Sequence, residues 1–197
     1  MENNGSKFNT RFIVRTGLMA AVCFAATAIN LKFSFTGATG STMIHLGSTA
    51  GFLAAMLFGG LSGGLAGGIG MGLFDLTGGY AFTAPWTLII KFFAGYAVGK
   101  IAWKNGKKGE SQSTNLIACV TGGIINLVGY TIYTFLTTWI VFFSPSGTYF
   151  NNTLKAALLA AGSQAVGSIA TTILAIIIAI PFNDSIRKAL KGSNLLK

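Results

Sequence analysis

The feature that most constrains this chain is a succession of apolar runs, near 12–31, 44–58, 61–76, 86–103, 115–143 and 153–181, separated by short polar or glycine-rich breaks. A helix of roughly 20 apolar residues spans the hydrocarbon core of a bilayer, and lipid requires every backbone N–H and C=O to be satisfied within the segment. The six runs therefore read as six transmembrane helices of an all-α integral membrane protein. Composition closes off a water-soluble alternative: 52% of the 197 residues are hydrophobic, 9% are charged and the mean hydropathy is +0.64. Residues 1–197 read as a single six-helix transmembrane domain, with short tails at about 1–10 and 183–197. The fifth and sixth runs are long enough to tilt, bend or project beyond the bilayer.

Lys7, Arg11 and Arg15 precede the apolar run from Gly17 to Ile29, as in a signal peptide. No cleavage site with a long soluble domain follows, so the run reads as a retained first helix. Cys23 and Cys119 both fall in spans and read as small apolar core residues.

Charge sets the expected orientation. Lys7, Arg11, Arg15, Lys100, Lys104, Lys107, Lys108, Arg187, Lys188, Lys191 and Lys197 lie at the N-terminus, in the connection after the fourth span or in the C-terminal tail. With six spans those three regions share one side, which the positive-inside rule makes the cytoplasm, so both termini are expected there. Lys32 and Lys155 fall near the opposite face. The net charge of +10 is then topology plus attraction to anionic lipid headgroups, and nucleic acid is not an expected partner.

FGGLSGGLAGGIGMG, residues 58–72, repeats glycine at 60, 64, 68 and 72. Four-residue spacing lines them along one helical face for close approach by a neighbour. The stretch lacks the GxGxxG fingerprint, and GYAVGK, residues 95–100, is one residue short of a Walker loop. ATP hydrolysis by this chain is not expected.

Two charges stand inside the apolar runs. Asp75 closes the third span and Lys91 lies about one and a half turns into the fourth, so both fall in the outer half of the membrane. Buried charge in lipid costs a few kcal/mol and marks a protein interior or cavity. The pair fits a structural ion pair or a shared polar ligand. Other polar groups converge on the same side: Thr42 and His45 after the first loop, Tyr80, Thr83 and Trp86 at the second, and Tyr149, Asn151 and Asn152 at the third. Asn126, Tyr130 and Tyr133 in the fifth span and Gln164 in the sixth lie deeper. Together they suit a pocket with aromatic walls and a few polar selectors for a small heteroaromatic molecule.

Catalysis is poorly provided for. One histidine and four carboxylates exclude a Cys/His zinc cluster and an HExxH helix, and the paired acids of an aspartyl intramembrane protease are missing. A dyad of His45 with Ser48 or Ser163 has no G-x-S-x-G elbow to support it. No cofactor or metal is expected.

TMIHLGSTAGFLAAMLFGG, then GGIGMGLFDLTGGYAFTAPWTLIIKFFAGYAVGK, then a basic connection resemble the substrate-binding S component of an energy-coupling factor (ECF) vitamin transporter. The resemblance spans essentially the whole chain, most specifically Thr42 to Lys100, and is closest to the hydroxymethylpyrimidine and vitamin B6 group. It implies a six-helix S-component bundle in the bacterial cell membrane that captures a vitamin from outside and works with an EcfT-type coupling protein and two EcfA-type ATPases. It also implies small residues on the first helix that dock on the coupling protein, here Ala21 and Ala25, or Gly17 and Ala21. Under it, Lys91 donates to a ring substituent and Asp75 orients it or accepts from the ligand. Tyr80, Trp86 and Tyr130 enclose the ring, while His45, Asn126 and Gln164 select. The competing expectations are a self-sufficient carrier or channel, an intramembrane enzyme and a scaffold.

Overall fold

The computed structural model describes residues 9–33, 42–142 and 150–192, except the side chains of 141–142, 150–152 and 190–192. Among these residues are six α-helices, one hairpin and a 3-10 turn at Lys104–Gly106: α1 (Thr10–Ala28), β1 (Asn30–Phe33), β2 (Thr42–His45), α2 (Gly47–Phe58), α3 (Gly60–Thr77), α4 (Ala84–Ala102), α5 (Gln112–Phe142) and α6 (Phe150–Gly192).

Local chemistry sets the boundaries. Asn9 caps α1 by accepting from Phe12 N–H at 2.8 Å. Gly59, at φ 88°, supplies the left-handed residue that separates α2 from α3. Pro85 occupies the first turn of α4, where its missing N–H breaks no helical bond. β1 and β2 pair antiparallel, Asn30 opposite His45 and Phe33 opposite Thr42.

α2 is the central helix, packed by α1, α3, α4 and α6. α1 turns Phe12, Thr16, Ala20, Cys23 and Thr27 inward at three- and four-residue steps. The α3–α4 seam rests on the glycines. A Cβ on Gly60, Gly64 or Gly68 would stand 2.6, 2.7 or 2.8 Å from the carbonyl oxygens of Tyr96, Phe92 and Leu88. Each step of four along α3 thus meets a step of four back along α4, and the two backbones touch where any side chain would hold them apart.

A polar knot ties together the bundle end that carries the start of α1 and the end of α6. The carbonyl of Met56, near the end of α2, accepts from Trp103 Nε1 at 2.9 Å and from Arg187 Nη2 at 2.7 Å. Gly109 O accepts from Asn115 at 2.8 Å and Asn183 at 2.9 Å, and both asparagines are fully buried. Asn183 Oδ1 in turn accepts from Arg187 Nε at 3.1 Å.

Three expectations are corrected. The expected span 44–58 contains a helix of only 12 residues, about 18 Å long, which is shorter than the hydrocarbon core. α2 is instead buried by its neighbours, and β2 of the hairpin leads directly into it. The break between the first two runs reads as loop, but the residues at its two ends, Asn30–Phe33 and Thr42–His45, pair as strands. The sixth helix runs past 181 to Gly192, because Asn183 and Arg187 hold its extension against α2 and the α4–α5 connection. Among the described residues, three helices are long and apolar enough to cross a membrane on length and composition alone: Thr10–Ala28, Gln112–Ile140 and Thr153–Ala189. Glycine and lysine dilute the hydropathy of α3 and α4.

Candidate functional site

At the opposite end of the bundle a cavity of about 340 Å³ is enclosed by the end of α1, the hairpin, the start of α2, the end of α3, the start of α4, and the middles of α5 and α6. Seven of the eight side chains expected around a ligand line it: His45, Asp75, Tyr80, Lys91, Asn126, Tyr130 and Gln164. Trp86 does not. Thr83, Thr87 and Lys91 share the inward face of α4 at four-residue spacing, which turns Trp86 outward, where it is 49% exposed and packs 5.6 Å from the Tyr133 ring. Thr42, Thr83 and Tyr133 are also on the wall, whereas Tyr149 and the side chains of Asn151 and Asn152 lie outside the described residues.

Asp75 and Lys91 are 4% and 6% exposed, yet they form no ion pair among the described residues. Lys91 Nζ donates to Ser48 Oγ at 2.9 Å and lies 5.0 Å from the centroid of the Tyr130 ring. Asp75 Oδ2 accepts from Thr87 Oγ1 at 2.5 Å, and Thr87 accepts from Tyr130 Oη at 2.9 Å. The two charges are thus linked through Tyr130, whose ring faces the ammonium and whose hydroxyl enters the carboxylate's chain.

His45 ends β2, and its Nδ1 accepts from Gly47 N–H at 3.1 Å. The imidazole is therefore neutral, with its proton on Nε2. This bond also commits His45 away from Ser48, which receives Lys91 instead, so that pair assembles no nucleophile and base. Thr42 Oγ1 and Asn126 Oδ1 are buried on the cavity wall without a partner among the described residues. Such atoms are costly unless something in the cavity meets them. At the rim, Lys32 Nζ lies 5.1 Å from the Tyr80 ring centroid and joins the hairpin to the α3–α4 connection.

Much of the wall is hydroxyl that sequence reading passed over. Thr87 on α4, Thr134, Thr137 and Thr138 on α5, and Ser168 and Thr171 on α6 all line the cavity. A usable signal existed. On α5, Asn126, Tyr130, Thr134 and Thr138 recur every four residues, while Val120, Ile124, Val128, Ile132, Leu136 and Ile140 form an exposed apolar stripe on another face.

Gly17, Ala21 and Ala25 lie on the exposed side of α1, and no atom comes within 4 Å of a Cβ built on Gly17. The internal packing of α1 uses its other face, where a Cβ on Gly70 of α3 would collide with the Ala20 carbonyl.

No curated protein matches the chain. The family described as ECF-type riboflavin transporter, S component, matches over residues 7–188, nearly the full length. Helical membrane-spanning architecture and a polar cavity at one end of the bundle agree with that match, and the chain belongs to this family of ECF transporter S components, multi-pass membrane proteins that serve transport rather than catalysis.

Proposed function

We propose that this S component captures a small water-soluble vitamin or precursor with a pyrimidine or pyridine ring, of the hydroxymethylpyrimidine or pyridoxine kind. The observation that carries this reading is the cavity's size and lining. Its volume of about 340 Å³ lies at the small end of ligand sites, and many hydroxyls, one carboxylate and one ammonium are among the groups that line it. Lys91 donates to a ring substituent, Asp75 accepts from a hydroxyl or amino group, and Tyr80 and Tyr130 enclose the ring. His45, Asn126 and Gln164 select among polar edges.

The cavity end faces outward and both termini face the cytoplasm, a reading supported by the basic residues gathered at the end bearing the polar knot. Uptake requires an EcfT-type coupling protein, which docks on the exposed Gly17, Ala21 and Ala25 face, and two EcfA-type ATPases that supply the energy. The family match favours a second cargo, riboflavin.

Titration of the purified protein by intrinsic tryptophan fluorescence with hydroxymethylpyrimidine, pyridoxine and riboflavin tests the reading. Saturable submicromolar binding of a one-ring compound supports it. Binding of riboflavin alone replaces the cargo, and a folded protein that binds none of them while transporting a solute without partners points to a self-sufficient carrier.

A further inference from the structure

We infer that Thr87 is a positioning residue that fixes the hydrogen-bond polarity of the cavity, so that the site selects a ligand with donors on one edge and acceptors on the other. The inference rests on the vitamin-capture reading and deepens it.

The argument is a count of protons. A threonine hydroxyl carries one proton, and Thr87 gives it to Asp75 Oδ2. Tyr130 must then donate into Thr87, because Thr87 has only lone pairs left to offer it. Tyr130 Oη, its single proton spent, faces the cavity as an acceptor. Asp75 Oδ1 meets no hydrogen-bond donor among the described residues and is likewise an acceptor. The other side has the opposite sense. Lys91 commits one N–H to Ser48 and keeps two, and His45, whose Nδ1 is taken by Gly47, presents Nε2–H. Acceptors are therefore carried by α3 and α5, and donors by α4 and the hairpin.

Thr87 touches both acceptors, so changing it alters their state without removing either. In Thr87→Val, Tyr130 loses its acceptor and its proton turns into the cavity, while Asp75 loses a donor that held its orientation. Thr87→Ser keeps the relay.

The test is a ratio of affinities for ligand pairs that differ by one donor: hydroxymethylpyrimidine against its analogue with methyl in place of the ring amino group, pyridoxine against its 3-O-methyl ether, and riboflavin against N3-methylriboflavin. The wild type is expected to prefer the donor-bearing member about tenfold or more, since Tyr130 Oη, its proton given to Thr87, is left as an acceptor that needs a donor. Thr87→Val should reduce that preference to about twofold, and Thr87→Ser should restore it. A merely structural role would weaken both members alike and leave the ratio unchanged. If Thr87→Val does not fold, Thr87→Ala makes the same cut without placing a methyl against the carboxylate.

A preference that survives in the folded variants overturns the inference and leaves vitamin capture standing. A wild type that binds all members equally does the same. Failure of the wild type to bind any of the three vitamins sinks capture and this inference together.

Discussion

Lys91 reaches its position through three neighbours: Ser48 accepts from it, the Tyr130 ring faces it, and the α4 backbone carries it one turn beyond Thr87. Replacing it with methionine keeps the stem and removes the charge. Lys91→Met should fold and should weaken ligand binding about tenfold to a hundredfold, the range for a hydrogen bond to a charged group. Unchanged affinity in a fluorescence titration would make the lysine a packing residue only. Lys91 and Asp75 were legible as single letters, because charge inside an apolar run is conspicuous. Thr87 was not: threonine is common in membrane helices, and its place in the relay comes from contacts with residues 12 and 43 positions away.

Among the elements, the α3–α4 pair depends most directly on sequence. Glycine every four residues predicts a smooth face, and α4 covers it with backbone against backbone. A methyl on Gly64 would meet the Phe92 carbonyl oxygen at 2.7 Å, and backbone cannot swing away as a flexible side chain can. Gly64→Ala should therefore cost about 1–3 kcal/mol, read as a lower unfolding midpoint in detergent. Gly51→Ala is the control, because its new Cβ would meet the nearest atoms at an ordinary 3.6 Å. Equal losses at the two positions would refute the account of the seam. Periodicity was less informative about α2. Its apolar run joins β2 without a break in hydropathy, so the sequence pattern merges a 4-residue strand and a 12-residue helix into one span. The hairpin became a strand pair through its register, which no local composition encodes.

At the scale of the molecule the two ends differ in kind. One holds a cavity with buried oxygens that find no partner among the described residues, and the other a knot in which Met56 and Gly109 carbonyls each receive two side-chain donors. Between them, α1 presents Gly17, Ala21 and Ala25 away from the bundle. Ala21→Leu should leave ligand affinity within about twofold and cut uptake by the assembled transporter at least about tenfold, because a bulky side chain holds an approaching helix away. A variant that transports normally would remove this face from the coupling surface. By itself the sequence determined the solvent: apolar runs of membrane length and few charges leave lipid as the environment, and a backbone in lipid must be helical or closed. It also determined which polar letters are expensive enough there to need a protein surround. The tertiary structure alone decided which of them share a cavity, why Trp86 faces out while Thr87 faces in, and that Lys91 and Asp75 meet through Tyr130 instead of as an ion pair. Those outcomes depend on helix rotation and on contacts between distant residues, and hydropathy along the chain carries neither.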